Sequence, residues 1–104
     1  MNCHSLKTWV KPFGATWVGN KSYEVRTDDR GFEVNDCLHL REYDEEAQRY
    51  TGRSMLTRIT YISRGMTETP KDVCVLATRI LHWAQHPAEV LWDADLREYY
   101  FSDE

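Results

Sequence analysis

Lys11-Pro12-Phe13-Gly14-Ala15-Thr16-Trp17-Val18-Gly19-Asn20-Lys21-Ser22-Tyr23-Glu24-Val25-Arg26-Thr27 changes its hydrophobic period partway along, and that change decides the fold class. Pro12 suits the first turn of a helix, where its missing N–H would have lacked a partner anyway. Phe13 and Trp17, four residues apart, share one helical face with Val18 alongside, and Gly19 supplies the residue that can turn left-handed just past the helix end. From Ser22 the pattern alternates, with Ser22, Glu24 and Arg26 on one face of a strand and Tyr23, Val25 and Thr27 on the other. The stretch predicts a helix over 11–18 and then a strand over 22–27.

Upstream, His4 to Trp9 reads as a strand. Downstream, Asp28-Asp29-Arg30-Gly31 and Asn35-Asp36 are turn clusters. Cys37 to Tyr43 alternates again: Leu38 and Leu40 face one way, while Cys37, His39, Arg41 and Tyr43 face the other. Asp44 to Gly52 reads as a polar hairpin loop and Arg53 to Ser63, rich in Thr, Ile and Tyr, as a long central strand. Val73 to Leu81 is expected as the last strand, buried on both faces. Pro87 opens a second helical pattern through Tyr100, with Leu91, Asp95 and Tyr99 on one face as a cover for the sheet. Strand, helix, then several strands with short turns is the order of an α+β fold rather than a doubly wound sheet. One domain over 1–82 is expected, with 83–104 as a C-terminal helical extension on it.

The 104 residues suit a single core. No apolar run approaches the roughly 18 residues of a membrane-spanning helix, so no membrane partner is expected. Met1-Asn2-Cys3-His4-Ser5-Leu6 lacks the charged start and apolar middle of a secretion signal, which points to the cytoplasm. Cys3, Cys37 and Cys74 form no C-x-x-C pair, and reduced, buried thiols are the simpler expectation. A zinc site built from Cys3, His4, Cys37 and His39 is the alternative reading and the weaker one. The net charge of −4 conceals an asymmetry: residues 1–64 hold ten Lys+Arg against nine Asp+Glu, and residues 65–104 hold three against eight. A small basic patch on the N-terminal part is compatible with this, whereas long cooperative coating of nucleic acid is not.

Two rows of polar side chains carry the functional signal, Ser22, Glu24, Arg26 and His39, Arg41, Tyr43. If their strands pair, both rows line one surface. An arginine fork suits phosphate or a planar carbonyl edge, a carboxylate accepts the amino groups of a base, and Lys21 adds a second cation. Against this stands the plain solvated face of a half-buried sheet, on which Glu24 and Arg26 pair only with each other. Trp9, Phe13 and Trp17 have core spacing, with at most one expected at a cleft rim. There is no Ser-His-Asp arrangement, Walker loop, dinucleotide fingerprint or H-E-x-x-H, and neither cofactor nor metal is expected.

The pattern His4-x-Leu6-Lys7-x-Trp9, Pro12-Phe13-x-Ala15, Gly19-x-Lys21-x-x-Glu24-x-Arg26, Asp29-Arg30-x-Phe32-x-Val34 and Asp36-x-Leu38-x-Leu40-Arg41-Glu42-Tyr43 resembles a small phage and bacterial branch of the ASCH superfamily. The likeness runs over residues 4–81 and includes Tyr50-Thr51-Gly52-Arg53 and Thr60-Tyr61. It implies a small PUA-like β-barrel of about five strands, RNA-related ligands, and a G-x-K motif at the cleft, matched by Gly19 and Lys21, with Arg26 as the strand arginine. One branch, an amidohydrolase of acetylated cytidine, uses a threonine three residues after the motif lysine. Glu24 stands there in this chain, so that activity does not carry over.

Three readings follow. The first is a binding module for RNA, a nucleotide or a modified nucleoside, with Lys21, Glu24 and Arg26 as its centre and His39, Arg41 and Tyr43 on the same surface. The second is a hydrolase on RNA or a modified nucleoside, with Lys21 and Glu24 sharing proton transfer and His39 assisting if it faces the cleft. The third is a phage-encoded protein-interaction module using the acidic C-terminal helix.

Overall fold

Strand β1 (Cys3–Trp9) runs directly into helix α1 (Val10–Trp17), and the chain then enters β2 (Tyr23–Thr27), β3 (Cys37–Asp44), β4 (Arg49–Ser63) and β5 (Val73–Ala84). This computed structural model describes residues 1–65 and 70–85, together with the short strands β6 (Val90–Asp93) and β7 (Glu98–Phe101). Pro12 lies in the first turn of α1, and Phe13 is fully buried with its ring 5.7 Å from that of Trp17. Gly19, at φ 87°, ends the helix, and the N–H groups of Asn20 and Lys21 both donate to the Ala15 carbonyl. This left-handed residue satisfies the last carbonyls and turns the chain off the helix axis toward β2.

The five-stranded sheet has the order β1-β3-β4-β5-β2. β1 pairs with β3 in parallel and every other pairing in that sheet is antiparallel. β2 and β3 are therefore not neighbours, as the alternation suggested, but have β4 and β5 between them. The helix makes this possible by carrying the chain from one sheet edge to the other. Register shifts at Arg41/Tyr43, Leu56/Thr57 and Ile59/Tyr61 bend the strands, and bulges of this kind add twist and curl. The result is a small α+β domain, a half-barrel with one short helix. Its inner face holds Leu6, Leu38, Leu40, Met55, Ile59, Cys74 and Leu76, closed by Phe13 and Phe32.

Three further expectations need correction. The hairpin between β3 and β4 is tighter than Asp44 to Gly52, because Asp44 pairs with Arg49 and its carboxylate accepts the N–H groups of Glu46 and Ala47. β5 is not buried on both faces: Cys74 and Leu76 point inward and are buried, while Val73, Val75 and Ala77 are half-buried. β5 also continues to Ala84, past the expected boundary at residue 82, and is followed by the antiparallel pair β6 and β7 rather than a helix from Pro87. The local runs Val90-Leu91-Trp92 and Tyr99-Tyr100-Phe101 are strand formers, and that local preference outweighs the four-residue spacing. Of the residues given the covering role, Leu91 stands in β6 and Tyr99 in β7, and Asp95 lies outside the described residues.

Parallel pairing also places Cys3 opposite Cys37, with their Cα atoms 4.5 Å apart, and the two form a disulfide instead of staying reduced. Cys74 is free and buried. Beside the disulfide, the buried Asp36 carboxylate accepts the N–H of Asn2 (3.0 Å), the His4 Nε2 (2.9 Å) and the N–H of Glu33 (3.1 Å). Burial acts to raise its pKa, but these hydrogen bonds together outweigh it and hold the carboxyl below its ordinary value. A carboxyl depressed in the folded state contributes stability above its unfolded pKa and loses it as pH falls through the folded value. Urea midpoints should therefore fall from about pH 4 downward, and Asp36→Asn should lower the midpoint at pH 7 while flattening that acid limb. A limb of unchanged steepness in the variant would show that Asp36 does not set it.

Candidate functional site

A curled sheet of five strands leaves its two edges facing each other, and β1 and β2 are those edges. Edge strands carry unpaired backbone groups. On β1 the Ser5 and Lys7 carbonyls face the gap, and both are taken by arginines. Arg26 donates from Nη1 to the Lys7 carbonyl (3.1 Å) and from Nη2 to Thr8 Oγ1 (3.1 Å), while Arg30 donates from Nη1 to the Ser5 carbonyl (2.9 Å). Guanidinium groups stand where a sixth strand would have placed N–H donors.

Pairing of β2 with β5 sets Glu24 opposite Leu76 and Arg26 opposite Cys74, so the polar row of β2 points inward. Glu24 is only 3% exposed, whereas Tyr23 and Val25 on the outer side are half-exposed, the reverse of the usual arrangement in a strand with one buried face. A buried carboxylate needs compensating charge and hydrogen bonds. Lys21 Nζ donates to Glu24 Oε2 at 2.6 Å, and Arg26 Nη2 lies 3.5 Å from Oε1. Lys21 also stands 5.2 Å above the Tyr23 ring.

Around this triad lies a cleft of about 510 Å³. Thr8 and Glu24 form its buried floor with the half-buried Arg26 beside them, and Lys7, Trp9 and Tyr23 stand at the more exposed rim. Trp9 is 53% exposed, so of the three helix-region aromatics it is the one at the cleft. On the far side of Arg26 a second hollow of about 170 Å³ is lined by Leu6, Thr27, Asp29, Arg30 and Phe32.

Lys21, Glu24 and Arg26 are thus brought together, but His39, Arg41 and Tyr43 are not with them. The register aligns Ser5 with His39, Lys7 with Arg41 and Trp9 with Tyr43 on the outer face, while Leu6 and Leu40 point in. Burial, with Arg41 nearby, pushes the His39 ring down to about 4, so it is neutral near pH 7. Arg41 lies 3.9 Å over the Tyr50 ring, and Tyr43 packs edge-on to Tyr50. His39 does not face the cleft, and its assistance in proton transfer is set aside. Among the described residues no group of three or more His, Cys, Asp or Glu is placed to hold a metal ion.

A family model described as a domain of unknown function, DUF3850, matches residues 3–78. The chain belongs to the DUF3850 family. No curated protein matches it. The matched span contains every residue that lines both hollows, so the seam lies wholly within the DUF3850 domain.

The contributions of Lys7 and Thr8 escaped sequence reasoning because they come from the opposite sheet edge, and only the curl brings them to β2. A second ion pair with a buried carboxylate also escaped it. Glu42 accepts Arg53 Nε (3.0 Å) and Nη2 (2.8 Å) together with Thr51 Oγ1 (2.7 Å), and these partners hold its carboxyl below the usual range against burial. Arg53 in turn lies 4.7 Å over the Trp17 ring and ties α1 to the sheet. The available signal was Glu42 standing in phase with Leu38 and Leu40.

Replacing Arg26 tests the seam. Arg26→Ala should cost about 2 kcal/mol in urea unfolding, since it leaves Glu24 with one cation and the Lys7 carbonyl without its donor. Arg26→Lys should recover less than half of the loss, because an ammonium cannot span three acceptors as a planar fork does. Full recovery by lysine would reduce the role of Arg26 to charge alone.

Proposed function

We propose that this DUF3850 domain binds RNA, or a nucleotide or modified nucleoside, in the cleft at Gly19-x-Lys21-x-x-Glu24-x-Arg26. The observation that carries the reading is a buried carboxylate held between two cations at the floor of a hollow with an exposed tryptophan and tyrosine at its rim. A volume of about 510 Å³ falls within the usual range for small-ligand sites. Aromatic rims stack on bases, a carboxylate accepts the exocyclic amino groups of a base, and Lys21 and Arg26 suit ribose or phosphate oxygens. The likeness of the motif to the ASCH superfamily, and with it a PUA-like class for the half-barrel, supports the same ligand chemistry and belongs to this proposal.

The 2.6 Å contact of Lys21 with Glu24 favours one further reading, a hydrolase in which the pair exchanges a proton with bound nucleoside or RNA. Glu24→Gln keeps the shape of the side chain and removes the base, so unchanged turnover on any substrate found would exclude it.

Titrating the protein with a panel of nucleosides, nucleotides and short RNAs should shift the amide NMR signals of residues 19–26, and Glu24→Gln should weaken the best ligand about tenfold or more. Amide shifts absent from residues 19–26 across the whole panel would sink the binding proposal.

A further inference from the structure

Arg26 separates two hollows along one seam, and only the larger has so far been given a ligand. The smaller, about 170 Å³, has room for roughly five water molecules, which suits a phosphate-sized group and is too small for a base with its sugar. Its apolar floor is Leu6 and Phe32, and two guanidinium groups, Arg26 and Arg30, face it together with Asp29.

Those guanidinium groups are anchored without being exhausted. Arg30 uses Nη1 on the Ser5 carbonyl, and each guanidinium carries five N–H donors. The loop that carries Arg30 is itself fixed. Arg64 grips the Asp28 carboxylate at 2.5 Å and 3.3 Å and donates to the Phe32 carbonyl at 2.7 Å, so both ends of the turn are tied to the end of β4. Pre-placed guanidinium forks are the usual means of binding phosphate, because little side-chain freedom remains to be lost.

Charge points the same way. Along the two hollows stand Lys21, Arg26 and Arg30 against Glu24 and Asp29, a local excess of one cation in a chain whose net charge is −4, while the Lys7 ammonium lies 4.2 Å over the Tyr43 ring. The anchors on β1, the Ser5 and Lys7 carbonyls, are two residues apart, about 7 Å along a strand, a step that one ribose can bridge.

We infer that the seam takes a nucleoside monophosphate unit, free or within an RNA strand, with its base in the larger cleft and its phosphate in the smaller hollow between Arg26 and Arg30. The inference rests on the base-binding reading of the larger cleft. Arg30 is then a specificity residue that separates phosphorylated from unphosphorylated ligands.

Calorimetric titration of the full chain with the four ribonucleosides, their 5′- and 3′-monophosphates and inorganic phosphate tests it, with amide NMR to locate each ligand. The expected result is one monophosphate binding about tenfold tighter than both its nucleoside and inorganic phosphate, with shifts at residues 27–30 as well as 19–26. Arg30→Gln should abolish that tenfold preference and leave nucleoside affinity unchanged, and Arg30→Lys should restore part of it. A monophosphate no tighter than its nucleoside, or inorganic phosphate equal to the monophosphate, overturns the inference. In the first case nucleoside shifts at residues 19–26 would leave the base-binding cleft standing, whereas their absence would remove the reading beneath both.

Discussion

The free edge of β1 is the constraint around which the rest of this domain is arranged. A five-stranded sheet curled this tightly brings its edges close without letting them pair, and the exposed carbonyls of Ser5 and Lys7 must find donors elsewhere. Arg30 and Arg26 provide them. Because Arg26 sits on the inward row of β2, the same solution draws a cation partly out of solvent, and the buried Glu24 answers it. Lys21, delivered by the left-handed turn at Gly19, completes the neutralisation of a carboxylate that would otherwise be costly to desolvate. A problem of backbone satisfaction is thus solved with charged side chains, and those side chains line a hollow.

The covalent order of the elements explains why this site forms at one place. β1, α1 and β2 are consecutive, yet they supply both edges of the sheet, and β3, β4 and β5 form an antiparallel meander between them. The first 27 residues clasp the meander from both sides. Polar anchors secure each part of the clasp: the disulfide and Asp36 hold the start of β1, Glu42 with Arg53 holds the helix, and Asp28 with Arg64 holds the turn after β2.

Local structure in this chain was legible wherever one residue type settled it. Pro12, the Phe13 and Trp17 pair and Gly19 define the helix from spacing and backbone geometry alone, and alternation identifies β2 and β3 together with the members of each face. Which face of β2 points inward was not legible, because alternation is symmetric and the usual rule would have buried Tyr23 and Val25. The strand order was not legible either, since it depends on where α1 delivers the chain. His39, Arg41 and Tyr43 were grouped with Glu24 and Arg26 on an assumed pairing of β2 with β3, and two intervening strands separate them. The segment after residue 85 misled for another reason: its aromatic residues fit helical spacing, while their local clustering favours strands.

The gap between β1 and β2 has a mechanical consequence. Both walls of the hollow belong to one continuous sheet, so the gap widens only when the sheet uncurls and narrows only when it curls further. Occupancy and curvature are then a single variable, and whatever lodges in the opening takes the position of a missing stave between the two free edges of the half-barrel.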